Sequence, residues 1–87
     1  MLRFDDQIIA AQKDEGKIES LIRKYEPFIL SSAAHVTGRH VTKSDDEWSI
    51  ALLAFYESVQ SFKPDKGRFT AYAKMSIRSK LIDYFRA

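Results

Sequence analysis

The sequence predicts an all-α protein, a small bundle of about four helices. Apolar residues recur at intervals of three and four along nearly the whole chain, and no stretch alternates apolar and polar residues for long. The chain has 87 residues, of which 45% are hydrophobic and 30% are charged, as is typical of one soluble domain. We therefore expect residues 1–87 to fold as a single helical domain of modest stability.

The first helix is predicted to be short. Asp5 or Asp6 can cap it, because an aspartate side chain accepts hydrogen bonds from the free amides at a helix start. The helix should run to about Lys13. Residues 14–17, with the sequence Asp-Glu-Gly-Lys, are predicted to form the turn that ends it.

A second helix should follow and continue to about Val36. Its apolar stripe keeps one register and comprises Ile18, Leu21, Ile22, Tyr25, Phe28, Ile29 and Ala33. Pro27 lies inside this stripe and lacks a backbone amide hydrogen, so we expect it to kink the helix. Residues 37–40, with the sequence Thr-Gly-Arg-His, are predicted to end it.

Two further helices are predicted in the rest of the chain. Ser44 or Asp45 can cap the first of them, which should span about residues 46–62. Residues 62–67 form a turn in which a proline fixes φ and a glycine tolerates a left-handed conformation. The last helix should run from residue 69 or 70 to residue 86.

These two helices carry the apolar residues expected in the core. On the helix over residues 46–62 the core-facing set is Trp48, Ala51, Phe55, Val59 and Phe62. On the last helix it is Ala73, Ile77, Leu81, Tyr84 and Phe85. Four apolar residues on the earlier helix remain outside this set, namely Ile50, Leu52, Leu53 and Tyr56. Either another helix or a binding partner must cover some of them.

The charges are unevenly distributed. Residues 1–62 hold 7 Lys and Arg against 10 Asp and Glu, a sum of −3, whereas residues 63–87 hold 7 against 2, a sum of +5. A one-sided excess of this kind favours contact with phosphates. The last helix also has a face made of Tyr72, Met75, Ser76, Ser79 and Ile82, surrounded by Arg68, Lys74, Arg78, Lys80 and Arg86. This face could bind partly unpaired DNA, or it could simply be solvated with Met75 and Ile82 packed on a neighbouring helix.

Several classes of site have no support in the sequence. The chain has no cysteine, and His35 and His40 are five residues apart, which is not the spacing of two metal ligands on one helix face. No glycine-rich phosphate loop or paired-carboxylate pattern occurs. We expect neither an enzyme nor a bound metal or cofactor. Because residues 1–6 do not resemble a signal peptide and no apolar run could span a membrane, we also expect a cytoplasmic protein.

Two adjoining segments resemble region 2 of the sigma-70 family of RNA polymerase sigma factors. Residues 46–67 read DEWSIALLAFYESVQSFKPDKG, and residues 69–86 read FTAYAKMSIRSKLIDYFR, similar to the family's Phe-Ser-Thr-Tyr-Ala and Ile-Arg elements. The ending LIDYFR most resembles the SigI group. The resemblance implies an alternative sigma factor that binds core RNA polymerase and recognises and melts the −10 promoter element.

The resemblance also implies which residues make these contacts. The residues that match the surface docking on the coiled-coil clamp of the largest polymerase subunit are Asp46, Ser49, Ile50, Leu52 and Tyr56. Those that match the capture of a flipped base of the non-template strand are Arg68, Phe69 and Tyr72. Recognition positions just upstream match Met75, Ser76, Ser79 and Ile82, and the charges of Lys74 and Arg78 would hold phosphates.

The chain departs from the principal members of the family at Met75 and Ser76, where those members carry two tryptophans. This difference favours an alternative sigma factor over a housekeeping one, and alternative factors, including the SigI type, are expected to melt a narrower class of promoters. The resemblance adds a membrane-anchored anti-sigma factor as a second expected partner. It also implies a −35-binding domain that these 87 residues lack. Two rival interpretations are a helix-turn-helix repressor that binds duplex DNA and a helical interaction module without a DNA role.

Overall fold

The computed structural model describes residues 4–86. This part of the chain folds into five α-helices and one short 3₁₀ turn and contains no strand. The predicted all-α fold is confirmed. The helices are α1 (Phe4–Ala11), α2 (Glu15–Lys24), α3 (Glu26–Thr37), α4 (Asp46–Ser61) and α5 (Phe69–Arg86), and the 3₁₀ turn spans Pro64–Lys66. The predicted bounds of α4 and α5 agree with the structure to within one residue.

The boundary between α1 and α2 differs from the prediction. Residues 14–17 do not end the first helix, because Asp14 caps α2 instead, and its Oδ1 accepts a hydrogen bond of 3.2 Å from the Lys17 amide. Asp5 and Asp6 lie within α1 rather than at its cap. Aspartate is favoured both in turns and at helix starts, and here the second preference prevails.

The predicted second helix is two helices. Its break lies at Tyr25, whose amide donates to the Leu21 carbonyl at 2.8 Å and whose carbonyl accepts from the Ile29 amide at 2.9 Å. Pro27 lies in the first turn of α3. Proline is accommodated there because first-turn amides have no partner within the helix, whereas in a helix interior its ring would clash with the preceding turn. The predicted helix is therefore divided at Tyr25, two residues before Pro27, and residues 4–86 contain five α-helices.

Three phenylalanines lie at the centre of the core, where α4 and α5 pack along each other and against α3. Phe55, Phe62 and Phe69 are each at most 1% exposed. The Phe69 ring lies edge-on to Phe55 at 5.6 Å and to Phe62 at 5.4 Å between centroids, a favourable arrangement for aromatic rings. This cluster fixes how α5 leaves the turn after α4. The remaining helices, α1 and α2, pack on each other and on α4.

The apolar stripe of α5 is buried over most of its length but not at its end. Ala73, Ile77 and Leu81 are fully buried, as predicted. Tyr84 and Phe85 were expected in the core, yet they are 43% and 51% exposed and contact each other edge-on at 5.5 Å. The prediction was wrong for these two residues, because no other helix of the described chain covers the last turn of α5.

Candidate functional site

The outward face of α5 carries the residues with expected DNA roles. At about 100° per residue, Tyr72, Met75, Ser79 and Ile82 fall on one side of the helix, opposite the core stripe. Met75 is 63% exposed, Ser79 is exposed, and Tyr72 and Ile82 are half-buried. Arg68 is exposed and directly precedes the first turn of the helix. The structure therefore brings these side chains together as one surface, which we call the α5 face.

Tyr72 is the aromatic residue of the α5 face, and its side chain is fixed by three contacts. Its hydroxyl shares a hydrogen bond of 2.6 Å with the Ser61 hydroxyl at the end of α4. The ring packs against Phe62 at 5.7 Å between centroids, and the Lys66 ammonium lies 5.6 Å from the Tyr72 centroid, in range of a cation–π interaction. An aromatic ring fixed in this way loses little further freedom when it binds a flat ligand. Lys66 was not among the predicted site residues, since only the fold of the 3₁₀ turn places it over the ring.

Phe69 occupies a different position from the one its expected role requires. Its ring is 1% exposed and lies between Phe55 and Phe62, so a base cannot stack on it in this structure. Phe62 in turn packs against Tyr72. Phe69 therefore supports the exposed tyrosine through the core, and Tyr72 remains as the aromatic surface.

The cations around the α5 face are not equivalent. Lys80 is 3.7 Å from Glu57 of α4, and that ion pair compensates its charge. Within residues 4–86, Arg68, Lys74 and Arg78 are exposed and form no ion pair. Three uncompensated positive charges therefore flank the α5 face, with Lys74 and Arg78 on the shoulder that faces away from α4.

Ser76 lies at the seam between the last two helices. Its hydroxyl donates a hydrogen bond of 3.4 Å to the Ala54 carbonyl of α4, and the residue is half-buried. A ligand can approach Ser76 only from the side that faces away from α4. The α5 face is therefore widest on the side of Met75 and Ser79.

A second exposed surface runs along α4 and is apolar. Asp46, Ser49, Leu53 and Tyr56 succeed one another at intervals of three and four, so they share the outward side of the helix, which we call the α4 face. Leu53 is 55% exposed and Tyr56 is 37% exposed. The expected contact residues Ile50 and Leu52 lie on the two edges of this side and are half-buried against the core.

Leu53 was not among the predicted contact residues, although it lies at the centre of the α4 face. It follows Ser49 by four residues and precedes Tyr56 by three, and this spacing was the available signal. Leu53 and Tyr56, three residues apart, expose neighbouring apolar surface whose burial by a partner would be favourable. The α4 face is thus an apolar strip with one carboxylate, Asp46, at its start.

The start of α4 carries three consecutive carboxylates and one arginine. Arg39, in the loop after α3, hydrogen-bonds through Nη2 to Oε2 of Glu47, and its Nη1 lies 3.6 Å from Oδ2 of Asp45. The pKa of Asp45 is held below its ordinary value by a hydrogen bond of 2.8 Å from the Thr42 amide and by the neighbouring Arg39. The bond to Glu47 raises the pKa of Arg39. Both pKa shifts favour the charged forms of Arg39 and Asp45.

No group of three histidine, aspartate or glutamate side chains within residues 4–86 could hold a metal ion. In the same part of the chain, no helix is both long and apolar enough to cross a membrane. The α4 face and the α5 face lie on adjacent helices, which are joined by the hydrogen bond between the Ser61 and Tyr72 hydroxyls.

Comparison with known proteins places the chain in a family. Residues 21–87 match the family described as Sigma-70 region 2. The RNA polymerase sigma factor SigI of Bacillus subtilis is 42% identical over 85 residues, covering 95% of this chain and 34% of that protein. SigI of Bacillus anthracis is 38% identical over 85 residues, and SigI7 of Acetivibrio thermocellus is 36% identical over 84 residues, with 97% and 95% of this chain covered. The chain spans about a third of the length of these relatives.

Proposed function

Because this chain belongs to the sigma-70 family, as a region 2 domain of the SigI type, we propose that it binds core RNA polymerase through α4 and the −10 promoter element through α5. The observation that carries the proposal is the presence of two outward faces of opposite character on adjacent helices. The α4 face is apolar with a carboxylate, and the α5 face is aromatic with uncompensated cations. The function is binding rather than chemistry.

The α4 face suits a helical protein partner. Its exposed side chains at intervals of three and four are arranged as in a helix that packs its stripe against another helix. Leu53 and Tyr56 would provide the buried centre of such an interface, because apolar and aromatic side chains there contribute most of the binding energy. Ser49, Ile50 and Leu52 would surround them. The coiled-coil clamp of the largest polymerase subunit is a partner of this shape.

The α5 face suits a DNA strand whose bases are unpaired. A base can stack on Tyr72 if it takes the place of Lys66 over the ring, and Lys66 would then be free to hold the neighbouring phosphate. Stacking of this kind contributes about 1 to 3 kcal/mol per base. Arg68, Lys74 and Arg78 would bind phosphates, which fix the strand without reading its sequence. Sequence reading would then fall to Met75, Ser79 and Ile82.

Met75 and Ser76 determine how many aromatic surfaces the α5 face offers to unpaired bases in this proposal. A methionine that is 63% exposed can cover a base but offers no flat aromatic surface, and Ser76 is engaged with α4. Tyr72 is then the one aromatic platform of the α5 face. We expect a domain that opens a narrower range of promoters than one with two tryptophans at these positions.

A pair of variants tests the two faces separately. Tyr72→Ala should lower the binding of a single-stranded −10 non-template oligonucleotide and the yield of open complexes, while binding to core polymerase is unchanged. Leu52→Ala/Tyr56→Ala should weaken polymerase binding and leave oligonucleotide binding intact. Equal loss of both activities in either variant would contradict the assignment of the faces. Tight binding to duplex DNA without polymerase would favour a repressor instead.

We also propose how such a domain is regulated and where it acts, on the resemblance to the SigI group. A membrane-anchored anti-sigma factor would hold such a domain inactive in the cytoplasm by covering the α4 face or the α5 face. Competition measures this directly, since an anti-sigma factor that acts on this domain should release it from core polymerase or from the oligonucleotide. Simultaneous binding of all three components would exclude that mode of inhibition.

A further inference from the structure

The three carboxylates at the start of α4 are in unequal environments. Asp45 and Glu47, the outer two, are both approached by the guanidinium of Arg39. Glu47 is 8% exposed, and a carboxylate this deeply buried is destabilising unless it is paired with a cation. Asp46 is exposed and forms no ion pair within residues 4–86. One arginine thus compensates the carboxylates on either side and leaves the middle one to face solvent.

The loop between α3 and α4 is shaped to hold Arg39 in this position. Gly38, which ends α3, has φ of +73°, a left-handed conformation that turns the chain sharply and disfavours other residues. Arg39 follows directly, and its Nη1 also donates a hydrogen bond of 3.1 Å to the His40 carbonyl. Val41 is 3% exposed and anchors the loop in the core. The guanidinium therefore connects the end of α3 to the first turn of α4.

We propose that Arg39 is a positioning residue for polymerase docking, which closes the loop over residues 38–45 onto α4 and leaves Asp46 as the single anion presented beside Ser49 and Leu53. This inference rests on the proposed docking function of the α4 face. Without Arg39, the nearly buried Glu47 would be unpaired and three adjacent negative charges would repel one another. The loop and the first turn of α4 would then separate, and Asp46 would lose its fixed place at the start of the face. The partner group is a basic side chain that meets Asp46.

A double-mutant cycle with Asp46 distinguishes positioning from general support of the fold. Arg39→Ala, Asp46→Ala and the double variant are compared by their Kd for core polymerase, after urea unfolding has shown that each is folded. We expect Arg39→Ala to weaken docking by on the order of tenfold in the presence of Asp46, and by much less when Asp46 is already absent. Binding of the single-stranded −10 oligonucleotide, which uses α5, should be unchanged in all three variants.

Arg39→Lys provides a second test if Arg39→Ala does not fold. A lysine keeps the positive charge but cannot reach both carboxylates with a planar fork, so docking should weaken while the fold is retained. A folded Arg39→Lys that docks as well as the parent chain would overturn the positioning role. So would equal losses from Arg39→Ala with and without Asp46.

Failure of the docking function itself would look different. If the parent chain did not bind core polymerase, or if Leu53→Ala bound as tightly as the parent, the α4 face would not be the interface. The inference on Arg39 would fall with it. If the parent binds and Leu53→Ala weakens binding, the double-mutant cycle tests the positioning role of Arg39 independently of the docking function.

Discussion

Truncation of Phe69 should separate its role in the core from a role in DNA stacking. The ring is 1% exposed and contacts two other buried rings, so Phe69→Ala would leave a cavity that the bundle can only partly fill. Such a change costs about 3–5 kcal/mol. At roughly 0.05–0.15 kcal/mol per residue, the stability of the whole domain is only about 4–13 kcal/mol. We expect Phe69→Ala to remove a large share of the free energy of unfolding.

Urea unfolding followed by the fluorescence of Trp48, the only tryptophan of the chain, measures this loss. Trp48 is half-buried against the core, so its emission reports the cooperative transition. Tyr84→Ala is the matched control, since that aromatic residue of the same helix is 43% exposed and should change the free energy of unfolding by less than about 1 kcal/mol. A loss below about 1 kcal/mol for Phe69→Ala would refute the buried position of its ring.

Three further results are expected. Leu53→Ala should raise the Kd for core polymerase by about 4- to 15-fold, because covering the exposed 55% of a leucine contributes roughly half of its full 1.5–3 kcal/mol. Lys74→Ala and Arg78→Ala should each reduce the salt dependence of oligonucleotide binding by about one phosphate contact, measured as the slope of log K against log salt. Because the pKa of Asp45 is lowered in the folded state, its carboxylate stabilises the fold at pH values above its ordinary pKa of 3.8. This contribution is lost as the pH falls through the lower pKa of the folded state. Asp45→Asn should remove that loss from an acid titration of the free energy of unfolding.

Each of these expectations has a result that would contradict it. Ile9→Ala, an aliphatic truncation at a residue 36% exposed on α1, is the control for Leu53→Ala, and equal effects on docking would mean that the α4 face has no special role. An unchanged salt slope would remove Lys74 and Arg78 from the phosphate contacts. An acid titration with the same profile for Asp45→Asn would show that the Thr42 amide does not stabilise the charged carboxylate.

The two longest helices were predictable because their sequence signals agree. In α4 and α5, the apolar period, the polar residues that precede α4 and the intervening Pro-Asp-Lys-Gly turn all indicate the same bounds. The boundary between α2 and α3 was not predictable, because the apolar stripe continues across Tyr25 in the register of a single helix. The backbone conformation of Tyr25, with φ of −100° and ψ of 11°, shows where α2 ends and α3 begins.

The sequence predicted which residues belong to the candidate site but not which of them are buried and which are exposed. Phe69 and Tyr72 are aromatic residues three apart in the sequence, and nothing in that spacing says that the first is in the core and the second at the surface. The path of residues 62–68 decides this, because it directs Phe69 between Phe55 and Phe62. Contacts that depend on a loop fold are equally invisible in the sequence, as with Lys66 over Tyr72.

Binding to core RNA polymerase distinguishes the proposed function from a repressor or a module without a DNA role. Fluorescence anisotropy at moderate salt would compare the parent chain with Leu53→Ala/Tyr56→Ala and with Tyr72→Ala, all shown to be folded. We expect the parent and Tyr72→Ala to bind equally well and the α4 double variant to lose most of its affinity. A folded, monomeric parent chain that does not bind core polymerase would contradict the proposed function.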